Sequence, residues 1–404
     1  MENLQPKLRF AEFKEDKKDY YSVIGKCIDS NIYGPRFNSN DYNIEGNVKT
    51  IRGTDIQKNG TINYSNVPIA LLDENVVSTH KLKYGDLVMI TTAECGLTGV
   101  FQGDDMDYIC SAYAVKIRLK ENNNPLFFKQ YFLTEYANNQ INRFIRKATV
   151  SNLPASDIKK IKLFIPTLQE QTKIADFLGA VDKQLDILNQ KKEKLNTYKK
   201  GVMQQLFSQQ IRFKDDNGNN FPDWEEKTLG EVINFRNGKG HEKVIDSNGD
   251  FIVVNSKYIS TDGLVSKYTS ELISPLFKND IVMVMSDLPN GKALGKCLLI
   301  DRDNYYTLNQ RICALTPNQL HNNPIFLKYI INRNSYFLKF DDGVNQTNLK
   351  KNEVLNCPLS IPSIAEQTKI ANFLSAIDTQ IQAVENQITK TETYKKGLLQ
   401  QMFV

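Results

Sequence analysis

The sequence predicts an α+β protein in which two domains of mixed strand and helix are joined by two long helices that form an antiparallel coiled coil. Three observations predict this. A stretch of helical text is written twice without a gap, the apolar residues inside each copy follow coiled-coil spacing, and strand-length apolar runs fill the segments between the copies.

Length and composition set the frame. The chain of 404 residues is comfortable for two domains, each able to bury a core. A hydrophobic fraction of 41% and a charged fraction of 24% are ordinary for a globular protein. The formal net charge of +5 suits a polyanion partner without requiring one. No apolar run approaches the ~20 residues of a membrane span. The opening MENLQPKLRF lacks the apolar core of a signal peptide, so a cytoplasmic protein is expected. Cys27, Cys95, Cys110, Cys297, Cys313 and Cys357 form no CxxC pair, and His80, His241 and His321 have no ligand-like spacing with them. The expectation is free thiols, mostly in cores, and no metal.

The elements follow in order. Residues 1–164 form the first mixed domain, with strand-like runs DLVMI and AYAVKIRL between Gly, Asn and Asp turns, and a helix opening at Pro125. Residues 165–210 form the central helical segment. Residues 211–360 repeat the first plan, with DFIVVNS and IVMVMS as strands and a helix opening at Pro324. Residues 361–404 repeat the helix. The register is explicit: IPTLQEQTKIADFLGAVD at 165 matches IPSIAEQTKIANFLSAID at 361, and TYKKG and QQxF recur in the same frame, about 196 residues apart. Shorter echoes extend the duplication: Phe10 of KLRF with Phe213 of QIRF, KYGDLVM with KNDIVM, NNPLF with NNPIF, and VSNL with QTNL. So long a period means two large copies rather than a solenoid.

Ile174, Leu178, Val181, Leu185, Leu188 and Leu195 step by fours and threes, as do Ile370, Leu374, Ile377, Ile381, Val384 and Ile388; Lys192 interrupts the first series where Ile388 continues the second. This is a coiled-coil seam. Packing of each helix on its own domain is the alternative use of such a face. Tyr198-Lys199-Lys200 and Tyr394-Lys395-Lys396 read either as a partner surface or as a solvated basic face.

The pattern IPxxxEQTKIAxFLxxxD followed by a long helix closing in YKKGxxQQxF, present twice after two dissimilar domains, resembles the specificity subunits of type I restriction-modification systems. The resemblance covers essentially the whole chain. It implies that each mixed domain is a target recognition domain reading one half of a bipartite, asymmetric site in double-stranded DNA. It implies that the paired helices gauge the gap and dock two methyltransferase subunits and the restriction subunits. The chain itself would be non-catalytic and bind no cofactor, with S-adenosylmethionine, ATP and Mg2+ on those partners. Half-sites one helical turn apart need modules held ~34 Å apart, which a rigid coil can do. Two other readings fit parts of the sequence: a coiled-coil scaffold or adaptor without DNA readout, and a self-contained restriction enzyme.

Motifs that would favour the last reading are incomplete. Pro222-Asp223 with Glu225-Glu226-Lys227 crowds into one short stretch the acidic and basic groups that a nuclease draws from separate strands. Asn323-Pro324-Ile325-Phe326 lacks the second proline of an adenine methyltransferase signature and recurs at Asn124-Pro125-Leu126-Phe127, as a duplicated helix start would. Gly291-Lys292-Ala293-Leu294-Gly295-Lys296-Cys297 falls short of a phosphate-binding loop but suits close approach to a DNA backbone. Arginine bidentate to guanine and Asn or Gln bidentate to adenine direct the choice of DNA-contacting candidates. In the first domain these are Lys49, Arg52, Thr91, Thr92, Glu94, Tyr113, Arg143, Arg146 and Lys147. In the second they are Asn255, Lys257, Asp287, Asn290, Lys292, Asn309, Gln310, Arg311, Asn345 and Gln346.

Overall fold

The computed structural model describes residues 5–15, 20–103, 105–147, 149–289 and 291–403. The chain divides into one unit of residues 1–191 with 384–404 and a second of residues 192–383. The division falls inside both long helices, so each unit holds the first part of one helix and the last part of the other. The sequence plan had given the helices segments of their own.

The first unit contains a four-stranded antiparallel sheet in the order Ile28–Tyr33, Ala114–Leu119, Leu87–Ile90, Thr98–Val100. Beside it, Val48–Ile51 pairs antiparallel with Ile69–Ala70 and parallel with Tyr108–Cys110. The second unit repeats both sheets, as Ile233–Asn237, Ile312–Pro317, Ile281–Val284, Cys297–Leu299 and as Tyr268–Thr269, Phe251–Val254, Tyr306–Leu308. A short outer pair closes each unit: Tyr21–Val23 with Lys162–Phe164, and Glu225–Thr228 with Pro358–Ile361.

The unbroken apolar runs in the sequence belong to strands buried on both faces. Leu87 and Met89 face a core shared with the helices, while Val88 and Ile90 face a separate core under the three-stranded sheet. Ile281, Met283 and Val282, Val284 divide in the same way. Strand side chains alternate with period two, so a strand with two covered faces has no polar position left.

The helix starts are built by the repeated Asn-Pro pairs. Asn124 accepts from Leu126 N–H at 2.9 Å to open Pro125–Phe132, and Asn323 accepts from Ile325 and Phe326 N–H at 3.0 and 3.1 Å to open Pro324–Ile331. Proline at the first turn loses no helical hydrogen bond. Among the methyltransferase-like residues, Asn323 and Pro324 are thus a cap and a first turn. The nuclease-like cluster resolves similarly, because Glu225 and Lys227 lie on one strand and pair with each other at 2.7 Å.

The two long helices run Leu168–Phe207 and Ile364–Phe403, each ~60 Å at the usual rise. Their shared EQTKIA text does structural work. Glu170, almost fully buried, accepts from Arg9 at 2.8 and 2.7 Å, and Glu366 accepts from Arg212 at 3.1 and 2.8 Å and from Trp224 Nε1 at 3.1 Å. A buried carboxylate costs several kcal/mol unless it is paired in this way. Gln171 and Gln367 accept from the backbone N–H of Asn124 and Asn323 at 2.9 and 2.8 Å, joining each long helix to a short one. Phe10 packs edge-on against Phe177, and Phe213 against Phe373.

Within the first unit the early turns of the central helix meet the last turns of the C-terminal helix: Lys395 donates to Asp182 at 2.5 Å, and Phe403 packs on Phe127 and Tyr131. Within the second unit the last turns of the central helix meet the early turns of the C-terminal one: Lys199 pairs with Asp378, and Phe207 packs on Phe326. Both meetings have the antiparallel sense expected. Ile174, Leu178 and Leu188 are buried while Val181, Leu185 and Leu195 are half-buried; Ile370, Leu374, Ile377, Ile381, Val384 and Ile388 are all buried. The seam is not purely helix on helix. Ile174 and Leu178 also enter the first domain's core, and Ile370 through Ile381 the second's. Both uses of the apolar face therefore occur along the same stripe.

Candidate nucleic-acid interface

One polar edge is built twice by the same backbone bonds. The residue following the central strand is held from both sides. Thr91 N–H donates to Tyr113 O at 2.9 Å and Thr91 O accepts from Leu153 N–H at 2.8 Å. In the second domain Met285 N–H donates to Arg311 O at 3.1 Å and Met285 O accepts from Leu349 N–H at 2.8 Å. The chain then loops out and returns through a left-handed glycine, Gly96 bonding Ile90 O and Gly295 bonding Val284 O. A third segment joins by bridges of Thr92 and Arg146 to Asn152, or of Ser286 to Asn348 and Asp287 to Thr347. Nearby, Ser111 and Asn309 donate to the last carbonyls of equivalent strands, at Ile51 and Val254, immediately before Arg52 and Asn255. A close backbone approach fixes each edge, since a Cβ on Gly34 or Gly238 would lie 1.9 Å from Cys110 O or Asn309 O.

The candidates separate into residues that hold this edge and residues that it displays. Thr91 is buried with its hydroxyl on Tyr113 O. Lys49 pairs with the Asp105 carboxylate and reaches Tyr108 Oη at 3.2 Å; the Asp105 bond above all raises its pKa. Arg52 grips Asp55 through two nitrogens at 3.1 and 3.0 Å and also bonds Asn66 O, and its pKa rises for the same reason. Asn255 caps the short helix Ser256–Ser260 by accepting from Tyr258 N–H. Asp287 accepts from Leu288 N–H at 2.9 Å, Ala293 N–H at 2.6 Å and Leu294 N–H at 3.0 Å. These five have internal partners: Asn255 and Asp287 accept from loop N–H groups, Lys49 and Arg52 answer nearby carboxylates, and the Thr91 hydroxyl donates to a backbone carbonyl. Asp287 also explains the near-miss phosphate loop: a carboxylate already fills the concavity, and a Cβ on Gly291 would meet it at 2.2 Å.

Glu94, Tyr113, Arg143, Arg146 and Lys147 are exposed in the first domain, with Tyr113 66% accessible and Arg146 4.0 Å from Asp157. Thr92 is half-buried. In the second domain Lys257, Lys292, Gln310, Arg311, Asn345 and Gln346 are exposed and Asn309 is half-buried. Gln310 donates to Glu242 at 2.7 Å, and Gln346 donates to Ser286 Oγ at 2.7 Å. Asn345 donates to Asp342, whose carboxylate also accepts from the Val344 and Asn345 N–H groups; those bonds draw its pKa down to about 2. Asn290 lies outside the described residues. A shallow pocket of about 210 Å³ lined by Phe340, Asp342, Asn345, Gln346, Thr347, Asn348 and Glu353 adjoins this edge.

The sequence reading missed Asp342, Ser286 and Arg333, which donates to Lys292 O. It also missed the Arg9–Glu170 and Arg212–Glu366 pairs, although Arg9 and Arg212 stand at matching places in KLRF and QIRF. Of the two YKK groups, Lys199 and Lys395 are committed to Asp378 and Asp182 and Lys396 pairs with Glu135, while Tyr198 and Tyr394 are more than half exposed. Among the described residues no three or more His, Cys, Asp or Glu side chains gather in a metal-binding group, all six cysteines are free, and no helix is long and apolar enough to cross a membrane.

The family described as type I restriction modification DNA specificity domain matches residues 28–197 and again residues 222–392. The MjaVIII specificity subunit of a type I restriction enzyme from Methanocaldococcus jannaschii is 26% identical over 262 residues, covering 60% of this chain and 61% of the relative, so less than two thirds of that protein is spanned. A second protein from the same organism, the putative type I restriction enzyme MjaX specificity subunit, is 22% identical over 341 residues, covering 80% of this chain and 78% of the relative. Among solved structures, the S subunit of a type I restriction-modification system from M. genitalium shares the fold with a TM-score of 0.60 at 18% identity, covering 99% of both chains.

Proposed function

The chain belongs to the type I restriction-modification DNA specificity family, and on that premise we propose that it is the DNA-recognition subunit of such a complex. Each domain reads one half of a bipartite, asymmetric site in double-stranded DNA. The chain does no chemistry and docks methyltransferase and restriction subunits in the cytoplasm. Those partners carry S-adenosylmethionine, ATP and Mg2+.

One observation carries this reading: an edge assembled by the same backbone bonds in both domains displays different side chains in each. Tyr113, Arg143, Arg146 and Lys147 face outward in one domain, and Lys292, Arg311, Asn345 and Gln346 in the other. Cations and amides of these kinds suit phosphate contacts and base edges in the major groove. A shared scaffold with differing displays is what two modules reading two unlike half-sites require.

The test is adenine methylation mapped across a genome in cells expressing the methyltransferase subunit with and without this chain. A bipartite, asymmetric methylated motif that depends on the chain is expected. An unchanged methylation map, with the partner active and bound, would instead favour a scaffold. The gap between half-sites should follow helix length: four residues inserted beside Lys192 add ~6 Å, and an unchanged gap would remove the helices from that role.

A further inference from the structure

We infer that Arg311 reads a guanine in the second half-site, and that Tyr113 at the equivalent position gives the first half-site a different readout. The inference rests on the DNA-recognition reading above and assigns it a base and a residue. The two positions are equivalent by bonding. Each opens the strand beside the central one, and each offers its backbone carbonyl to the residue that follows the central strand, Thr91 or Met285. Both side chains are exposed, so the fold does not dictate their identity.

The second unit has five arginines, and four are occupied. Arg212 holds Glu366, Arg236 holds Asp280 at 2.7 Å, Arg302 lies against Asp301 and the Tyr305 ring, and Arg333 donates to Lys292 O. The Arg311 guanidinium has no hydrogen-bond or ion-pair partner among the described residues. Its neighbours on the edge are already engaged: Gln310 by Glu242, Gln346 by Ser286, and the Asp287 carboxylate by loop N–H groups. The fork of N–H donors on Arg311 is thus the strongest unspent donor set of this edge. Paired acceptors at fork spacing are presented by guanine O6 and N7, and also by a phosphate. A base contact is favoured because the position changes between the copies while its backbone does not. A phosphate contact serves every sequence and gives no reason for Arg in one domain and Tyr in the other.

Full-length chains carrying Arg311→Ala or Arg311→Lys, assembled with the methyltransferase subunit, would be mapped for methylated sites. They would also be assayed on duplexes in which each base pair of the wild-type site is replaced in turn. The expected result is loss of a G·C requirement at one position of one half-site, with roughly ten-fold less discrimination there. The other half-site keeps its preferences, and Lys does not restore the lost one because a single ammonium lacks the fork. Thermal unfolding of both variants should match wild type. Uniform weakening on every duplex that Lys repairs would mean a phosphate contact and overturn the assignment, as would unchanged preferences. Failure of the wild-type chain to yield any bipartite motif would instead fell the recognition reading itself, so the two failures are distinguishable.

Discussion

The two domains spend their sequence differently at the same edge. Between Ile90 and the returning Gly96 the first domain has five residues, 91–95, whereas between Val284 and Gly295 the second has ten, 285–294. The short loop is settled by Thr91, by the Asn152 bridge and by the Ala93 N–H on Ser151 O, with no carboxylate of its own among those bonds. The longer loop needs a carboxylate at its centre, and Asp287 supplies it. The lesson is that backbone-to-backbone bonds were kept through duplication while loop length and exposed side chains were free to diverge. Repeated text marks what holds each domain, and unrepeated text at matching places marks what each domain displays.

The largest effect should come from the carboxylates of EQTKIA, where the copies are alike in sequence but not in load. Glu366 serves both Arg212 and the buried Trp224 indole, whereas the bonds described for Glu170 come from Arg9. Glu366→Ala should therefore cost roughly 3–5 kcal/mol in the second unit, and Glu170→Ala less in the first. Hydrogen exchange resolved by peptide measures both. Equal losses would mean that the indole bond contributes nothing.

Somewhat smaller, and more pointed, is the effect of the closing phenylalanines. Phe403 is almost fully buried against Phe127 and Tyr131, and Phe207 is half-buried on Phe326. Phe403→Ala should cost about 3 kcal/mol and loosen Pro125–Phe132, close to three hundred residues earlier in the chain, while Pro324–Ile331 stays protected. Phe207→Ala should do the reverse, more weakly. Exchange that rises in Pro324–Ile331 on Phe403→Ala would contradict the antiparallel pairing.

Much of this was legible beforehand, for identifiable reasons. The duplication, the long helices, the Asn-Pro helix starts and the central strands are local or periodic, so spacing reveals them. The function of Glu170 or Asp182 was not legible, because Arg9 and Lys395 lie far off in sequence and only packing brings them close. The edge was half legible. Strand ends and turn residues pointed to side chains that lie on or beside it, but residue type could not separate Asp287, which holds the loop, from Lys292, which the loop displays. Arg52 and Lys49 were attractive as cations, and their partners Asp55 and Asp105 were needed to see those charges answered.

Asp287→Ala tests the difference in loop length directly. Three loop N–H groups would lose their acceptor, with a local cost of about 1–3 kcal/mol. The site read by the second domain should broaden while that of the first is untouched. Broadening of both half-sites would sink the idea that each loop serves one domain.

The smallest expected effect is on acid response, and it separates the same two edges. Asp342 accepts from Val344 and Asn345 N–H groups at 2.9 and 2.8 Å, and its pKa falls from 3.8 to about 2. The folded value lies below the unfolded one, so the carboxylate stabilises this turn at every pH above about 4 and that contribution drains away as pH falls from about 4 through 2. The matching first-domain stretch, residues 143–150, contains no carboxylate to titrate. Amide protection at Val344 and Asn345 should therefore be flat from neutrality to about pH 4 and decline below it, whereas in Asp342→Asn it should be lower throughout and show no step, because the amide oxygen accepts more weakly and does not titrate. Arg146, whose backbone is bridged to Asn152, should show no matching step. Were both edges to lose protection together near pH 4, the acid response would belong to unfolding of the domains and not to this one turn.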